Sequence, residues 1–313
     1  MKSRIWLALF ALYIAWGSTY LAIRFAVETI PPFFMVGMRF LVAGLIVYTW
    51  RRLAGDPAPT PAQWRSAGIM GAFLLVGGIG FVSWAEQRLP SGIAALVVAA
   101  TPLWVVLIDA LRPGGTRPSW LAASGILVGL AGIAILVEPG RSTADQPGLN
   151  LLGVTVVLLA ALLWAIGSIY GRGADLPKSS LLGTGMEMLA GSVGCFLTGL
   201  VTGEASQLNL AAITPRSLSG LAYLIIVGSL IGFVCYSWLL RVAPTTLVVT
   251  YAYVNPLVAV ILGSLLAHEV LSPRALVATP LILSSVALIH LKRAKARPPV
   301  PPRVPIRAPA GED

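Results

Sequence analysis

Pro90-Ser91-Gly92-Ile93-Ala94-Ala95-Leu96-Val97-Val98-Ala99-Ala100-Thr101-Pro102-Leu103-Trp104-Val105-Val106-Leu107-Ile108 is a run of nineteen residues without a charge. As a helix it covers about 28 Å at 1.5 Å per residue, close to the ~30 Å hydrocarbon core of a bilayer. A barrel strand would instead alternate polar and apolar residues over ~10 positions. Nine more segments of the same kind accompany it, at 5–23, 32–50, 66–85, 119–137, 150–171, 180–201, 217–240, 244–267 and 275–291. Among all charged residues only Arg39 and Glu187 fall inside these segments. The chain is 57% hydrophobic and 11% charged over 313 residues, where a soluble domain carries about 25% charged. Such a chain has too little charge to clothe a soluble fold and too much apolar content for disorder. The reading is an all-α membrane protein with ten transmembrane helices.

Lys2 and Arg4 precede the first segment as they would a secretory signal. Its apolar run exceeds the ~7–15 residues of a signal core and nine spans follow, so it is read as an uncleaved first span. Sixteen Lys and Arg lie in the connections and tail on one side, against five (Arg24, Arg88, Arg141, Arg216 and Arg274) on the other. By the positive-inside rule both termini are expected in the cytoplasm. The connections are too short to hold a soluble domain. The tail from Lys292 is rich in Pro and Arg and is expected to be disordered, its basic residues resting on anionic headgroups. The net charge of +10 therefore points to orientation in a lipid bilayer, with no nucleic acid as partner.

The sequence repeats. Gly37-Met38-Arg39-Phe40-Leu41 matches Gly185-Met186-Glu187-Met188-Leu189 at an offset of 148, which also relates Trp16 to Trp164. Pro90 and Pro102 recur as Pro244 and Pro256 at an offset of 154. Gly80-Phe81 with Trp84 recurs loosely as Gly232-Phe233 with Trp238. The repeats are 1–143 and 144–291, with a tail at 292–313. Five spans per half is an odd number, so the halves enter the membrane in opposite senses. This gives two inverted five-helix repeats, an arrangement that alternates access to a midplane site in many secondary transporters.

Polar residues inside the spans are candidates for chemistry. Trp16, Thr19 and Tyr20 share one face of span one, and Trp164 and Ser168 one face of span six. They are expected to line opposite walls of a cavity; ordinary helix packing is the competing reading. In span nine Thr246, Thr250 and Tyr253 form one stripe, with Tyr251 and Asn255 nearly opposite. The threonine stripe and Tyr253 are favoured for the cavity. Pro102 and Pro256 free the carbonyls of Val98 and Ala252 near mid-membrane, as hinges or packed kinks. Arg39 is a candidate anion site and Glu187 a candidate proton carrier, with fixed packing roles as the alternative.

Cys195 and Cys235 sit in apolar runs and make no metal or redox motif. No phosphate-binding Gly-rich loop occurs, His268-Glu269 lacks its second histidine, and no catalytic triad converges. Neither enzyme activity nor any cofactor or metal is expected. A passive pore or lipid translocator remains an alternative to a transporter, and the chain is read as a monomer or homodimer.

Trp16-Gly17-Ser18-Thr19-Tyr20, Gly37-Met38-Arg39-Phe40-Leu41, Pro90-Ser91-Gly92-Ile93-Ala94-Ala95, Trp164-Ala165-Ile166-Gly167-Ser168-Ile169-Tyr170, Glu187-Met188-Leu189 and Tyr251-Ala252-Tyr253-Val254-Asn255-Pro256 together carry a resemblance. The chain resembles the EamA branch of the drug/metabolite transporter superfamily, and within it the YedA-type exporters, over about residues 5–291. That resemblance implies two five-helix repeats in a bacterial inner membrane. It also implies export of small amphipathic metabolites, amino acids or drugs from a cavity ringed by helices one, three, four, six, eight and nine. Such repeats often end spans four and nine with Gly-Glu. Here span nine ends His268-Glu269, and span four runs into Asp109-Ala110-Leu111-Arg112 without the pair.

Overall fold

The computed structural model describes residues 2–111, 119–137, 150–243, 245–248, 250–269 and 272–293. The Pro- and Arg-rich stretch from 294 onward, and the side chains of Thr246 and Tyr253, lie outside the described set. Every regular element among the described residues is helical. Helix α1 joins Lys2–Gly17 to Thr19–Ala26, and α2 is Pro32–Leu53. Helix α3 is continuous through Pro61–Met70, Gly71–Gly80 and Phe81–Ala85. Helix α4 is broken into Ser91–Val98 and Thr101–Leu111, and α5 is Trp120–Val137. Helices α6 and α7 are Leu151–Gly171 and Ser180–Val201. Helix α8 runs through Pro215–Tyr223, Leu224–Ile231 and Gly232–Val242. Helix α9 is Thr245–Val248 plus Tyr251–Leu266, and α10 is Pro273–Arg293. Seven of these are long and apolar enough to cross a membrane, and Trp120–Leu136, Val254–Leu266 and Pro273–Leu288 are shorter apolar helices.

In hydrocarbon a helix end without a partner is costly, so polar residues mark the entrances. Thr60 and Gln63 form a reciprocal capping box at α3. Asn150, Ser179 and Thr214 accept backbone N–H groups at the starts of α6, α7 and α8. Carboxylates add ties between the halves. Glu204 accepts the Phe33 and Phe34 N–H groups at 2.9 and 3.2 Å, at the start of α2. Asp56 takes two hydrogen bonds from Arg51, both at 2.8 Å, and one from Ser179 at the start of α7. Asp56 and Glu204 are 148 residues apart, the same offset that relates the two tryptophans. Each therefore anchors the second helix of the opposite half. The Arg51 hydrogen bond, followed by that of Ser179, holds the Asp56 carboxyl down to about 2.

Helix contacts follow the same exchange. α2 packs along α7 and α5 along α10; α1 packs on α8 and α9, and α6 on α3 and α4. Swapping the halves maps this pattern onto itself. Glycines let the backbones approach where α3 crosses α7. A Cβ on Gly71 would lie 2.8 Å from the Gly191 nitrogen, with no side chain able to yield. Gly71→Ala is expected to cost about 1–3 kcal/mol through overpacking, seen as a lower melting temperature in detergent with unchanged helical circular dichroism. An unaltered melting temperature would contradict this packing. Large apolar side chains such as Leu7, Leu127 and Leu265 stand exposed on the outer surface, at 71%, 65% and 67%. An apolar surface of this kind is a liability in water and fits lipid.

Candidate substrate cavity

Helices α3 and α8 carry the local feature that shapes the centre. Gly71–Gly80 and Leu224–Ile231 are π-helical, a widened winding often found at functional sites. These stretches hold residues of the opposite half or of the neighbouring helix. Trp16 Nε1–H donates to the Gly228 carbonyl at 3.1 Å, and Arg39 Nε–H donates to the Ser229 hydroxyl at 2.9 Å. A Cβ on Gly232 would collide with the Trp16 indole, and one on Gly78 would lie 2.7 Å from Trp164 Cε3. Each repeat-related tryptophan thus stands on a glycine contributed by the other half.

The space enclosed is a cavity of about 410 Å³, inside the ~300–1,000 Å³ range of small-molecule sites. From α1 it is lined by Trp16, Thr19, Tyr20 and Ile23, and from α2 by Arg39. α6 supplies Ala160, Ala161, Trp164 and Ser168, and Arg172 follows its last turn. α8 supplies Phe233 and Tyr236, and α9 supplies Tyr251, Ala252, Asn255 and Pro256. α3 and α4 complete it, with Gly78 and Val82 on the former and Val98 and Pro102 on the latter. Trp16 is surrounded by rings: Phe233, Tyr236 and Tyr251 have centroids 5.4, 5.1 and 4.9 Å away.

Arg39 is buried to 4% exposure, and its guanidinium lies 4.7 Å from the Phe40 ring centroid. Among the described residues it forms no salt bridge with a carboxylate. Glu187, at the equivalent position of the second half, is not on the lining. It is half-buried where α7 meets α3, its backbone carbonyl beside Gly71.

The two prolines behave differently. Pro102 gives no N–H to Val98, and the Thr101 hydroxyl donates to that carbonyl at 2.6 Å instead. The helix breaks just before it, between Val98 and Thr101. In the second half Asn255 stands where Thr101 would by the 154-residue offset. Its side-chain oxygen is buried without a partner, and Pro256 has no N–H to offer Ala252. Acceptors therefore face the cavity from α9 and are satisfied internally on α4.

Of the residues singled out in the sequence, the structure brings Trp16, Thr19, Tyr20, Arg39, Pro102, Trp164, Ser168 and Pro256 to one cavity. The Thr19 hydroxyl is committed to the Trp16 carbonyl at 2.6 Å. Thr250 is off the lining: its hydroxyl bonds to the Tyr13 hydroxyl and the Leu247 carbonyl. The opposite face of α9, Tyr251 and Asn255, points inward. The reason is the aromatic partnership of Tyr251 with Trp16 and Tyr236, contacts that helical periodicity cannot weigh. Phe233 and Tyr236 were not singled out for the cavity; the Gly232-Phe233 repeat is the signal that points to them. Glu269, the lone remnant of the Gly-Glu ending, accepts the Ser91 and Gly92 N–H groups at 2.8 and 3.2 Å. It caps α4, and the sequence has Gly115 at the corresponding offset of 154 in the first half.

Among the described residues ten helices in two exchange-related halves surround a central cavity, the architecture of a membrane transporter. The chain belongs to the EamA-like transporter family, whose model matches residues 3–138 and 151–291. It is 40% identical over 302 residues to the uncharacterized inner membrane transporter YedA of Escherichia coli K12, covering 94% of each chain. The uncharacterized transporter YvbV of Bacillus subtilis is 23% identical, with 93% of each chain covered. A solved crystal structure 22% identical to the chain superposes with a TM-score of 0.61 over 93% of this chain and 99% of the other. That likeness is one of fold.

Proposed function

We propose that the protein is a secondary transporter of the bacterial inner membrane that exports small amphipathic metabolites carrying a carboxylate, amino acids among them, by alternating access. The observation that carries this reading is the buried, carboxylate-free guanidinium of Arg39 on the wall of an otherwise aromatic cavity. A cation in a low-dielectric site needs an anion, and the rings offer an apolar substituent stacking contacts of ~0.5–1.5 kcal/mol each. Asn255 Oδ1 and the Ala252 carbonyl add acceptors for an ammonium or amine. Several weak contacts suit a carrier that must also release.

Export is the direction that the resemblance to exporters implies, and the lining is compatible with loading from the cytoplasm. It extends to Arg172 at the end of α6, which the charge count assigns to the cytoplasmic side. The far end, beyond Ile23 and Val82, meets Arg24, Glu86 and Glu269. Cargo would load from the cytoplasm and leave when the two halves rock about the kinked α4 and α9.

The test is counterflow in liposomes preloaded with unlabelled aromatic and aliphatic amino acids. Saturable, competable uptake of labelled amino acid is expected. Flux that rises linearly with concentration would favour a passive pore, and no protein-dependent flux for any of them would remove this substrate class.

A further inference from the structure

Beyond Ile23 and Val82 of the cavity lining lies a second, separate recess of about 290 Å³, lined by Arg24, Glu28, Arg88, Arg216 and Glu269 among others. Glu86 stands between the two spaces. Val82, one turn earlier, lines the cavity, and Gln87 lines the recess. Glu86 is fully buried, at 0% exposure, and neither of its carboxylate oxygens has a hydrogen-bond partner. The hydroxyls of Ser83 and Ser91 at this end are likewise buried without partners.

The charged and titratable groups facing Glu86 are Tyr20 from the cavity side, and Arg24 and Glu269 from the recess side. Residues 32–38, 90–96 and 150–160, which bring α2, α4 and α6 to this end, contain no titratable side chain. Every charged neighbour is already engaged. Arg24 donates to the backbone carbonyl of Glu86 and not to its carboxylate. Glu269 is held by the start of α4. Arg88 lies 3.7 Å over the Trp84 ring, and Arg216 pairs with Glu28 at 3.4 Å.

A buried carboxylate with no donor is expensive, and the group keeps its proton instead. We propose that Glu86 is a proton-binding residue in the plug between cavity and recess, protonated while the plug is shut and releasing its proton to water in the recess as the plug opens. This rests on the alternating-access reading above. The anion formed has one cation in reach, Arg24, which can meet the carboxylate only by leaving the Glu86 carbonyl. Losing the proton therefore loosens the contact between α1 and α3 that closes this end. Burial, and secondarily the charge of Glu269, push the Glu86 carboxyl well above the usual range, against the pull of Arg24. A carboxyl raised on folding contributes full stability below its unfolded value, and that stability is lost as pH rises through the folded one.

The experiment uses full-length protein in sealed membrane vesicles of both orientations. The background is Cys195→Ala and Cys235→Ala, with Val98→Cys placing a thiol on the cavity wall. A membrane-impermeant methanethiosulfonate is applied from the Arg24 side between pH 5 and 9. Rates are divided by those of the Glu86→Gln form at the same pH, which cancels the titration of the thiol itself. The ratio is expected to rise at least tenfold with pH, and Glu86→Asp to retain the response. A ratio that stays flat while the thiol is reachable overturns the proposal and leaves alternation standing. A ratio that no longer rises with pH in Glu187→Gln, with Glu86 intact, also overturns it. A thiol reachable only from the Arg172 side at every pH overturns alternation, and the plug falls with it. Melting temperature gives an independent arm: it should fall with pH in the wild type and stay level in Glu86→Gln. Equal pH profiles for the two would remove the proton site.

Discussion

Arg39→Gln is expected to lower saturable counterflow of amino acids at least thirtyfold, with little change in melting temperature. Removing one member of a buried, desolvated charge pair costs about 2–5 kcal/mol, and each 1.4 kcal/mol is tenfold. The fold should tolerate the change. The guanidinium is at 4% exposure without a carboxylate partner, so glutamine removes a desolvated charge and still reaches toward Ser229. Arg39→Lys keeps the charge and loses the planar fork that bonds Ser229 while facing the cavity; intermediate transport is expected. The decisive comparison varies the cargo. Wild type should discriminate against the methyl ester of an amino acid by a factor similar to the mutational loss, and Arg39→Gln should treat acid and ester alike. A well-folded Arg39→Gln that transports at the wild-type rate would reduce Arg39 to a packing role.

The fold was legible because lipid leaves few options. Ten long apolar segments, charge-free but for Arg39 and Glu187, and an odd number per repeat are enough to fix helices and their inverted threading, and the contacts of α1, α6 and their partners follow. The paired tryptophans were legible for the same reason: a conspicuous residue at a repeat offset must occupy related places. Three things were not. The face of α9 that turns inward depends on Tyr251 meeting Trp16, a contact between distant spans that periodicity within one span does not encode. The π-helical stretches of α3 and α8 leave no local signature beyond glycine, because winding there is set by what the glycines must accommodate. Glu86 falls one residue past a span and reads as an interfacial acid. Only the assembled end of the bundle shows it sealed away from water, while Glu187, deeper by count, stays off the lining.

Trp16→Ala and Trp164→Ala are expected to fail differently, although the repeat makes the two positions equivalent. Trp16 has three ring neighbours and donates to the Gly228 carbonyl. Truncating a packed tryptophan costs about 3–5 kcal/mol, so Trp16→Ala should show a large drop in melting temperature together with loss of transport. Trp16→Phe keeps most of the ring contacts and gives up a hydrogen bond of about 0.5–1.5 kcal/mol, for a small drop with transport largely kept. Trp164 has no ring contact among the described residues and rests on the backbone of Gly78. Its indole packs against the core at one side and lines the cavity at the other, without the ring partners of Trp16, so Trp164→Ala should lower the melting temperature less than Trp16→Ala and raise the apparent KM tenfold or more for aromatic amino acids, less for small ones. Gly78→Val supports the same logic from the other side, since the added carbons must push Trp164 into the cavity and reduce the size of cargo accepted. Equal stability losses at the two tryptophans, or a Trp164→Ala protein with wild-type KM for tryptophan and alanine alike, would show that the cavity does not use its second wall to hold cargo.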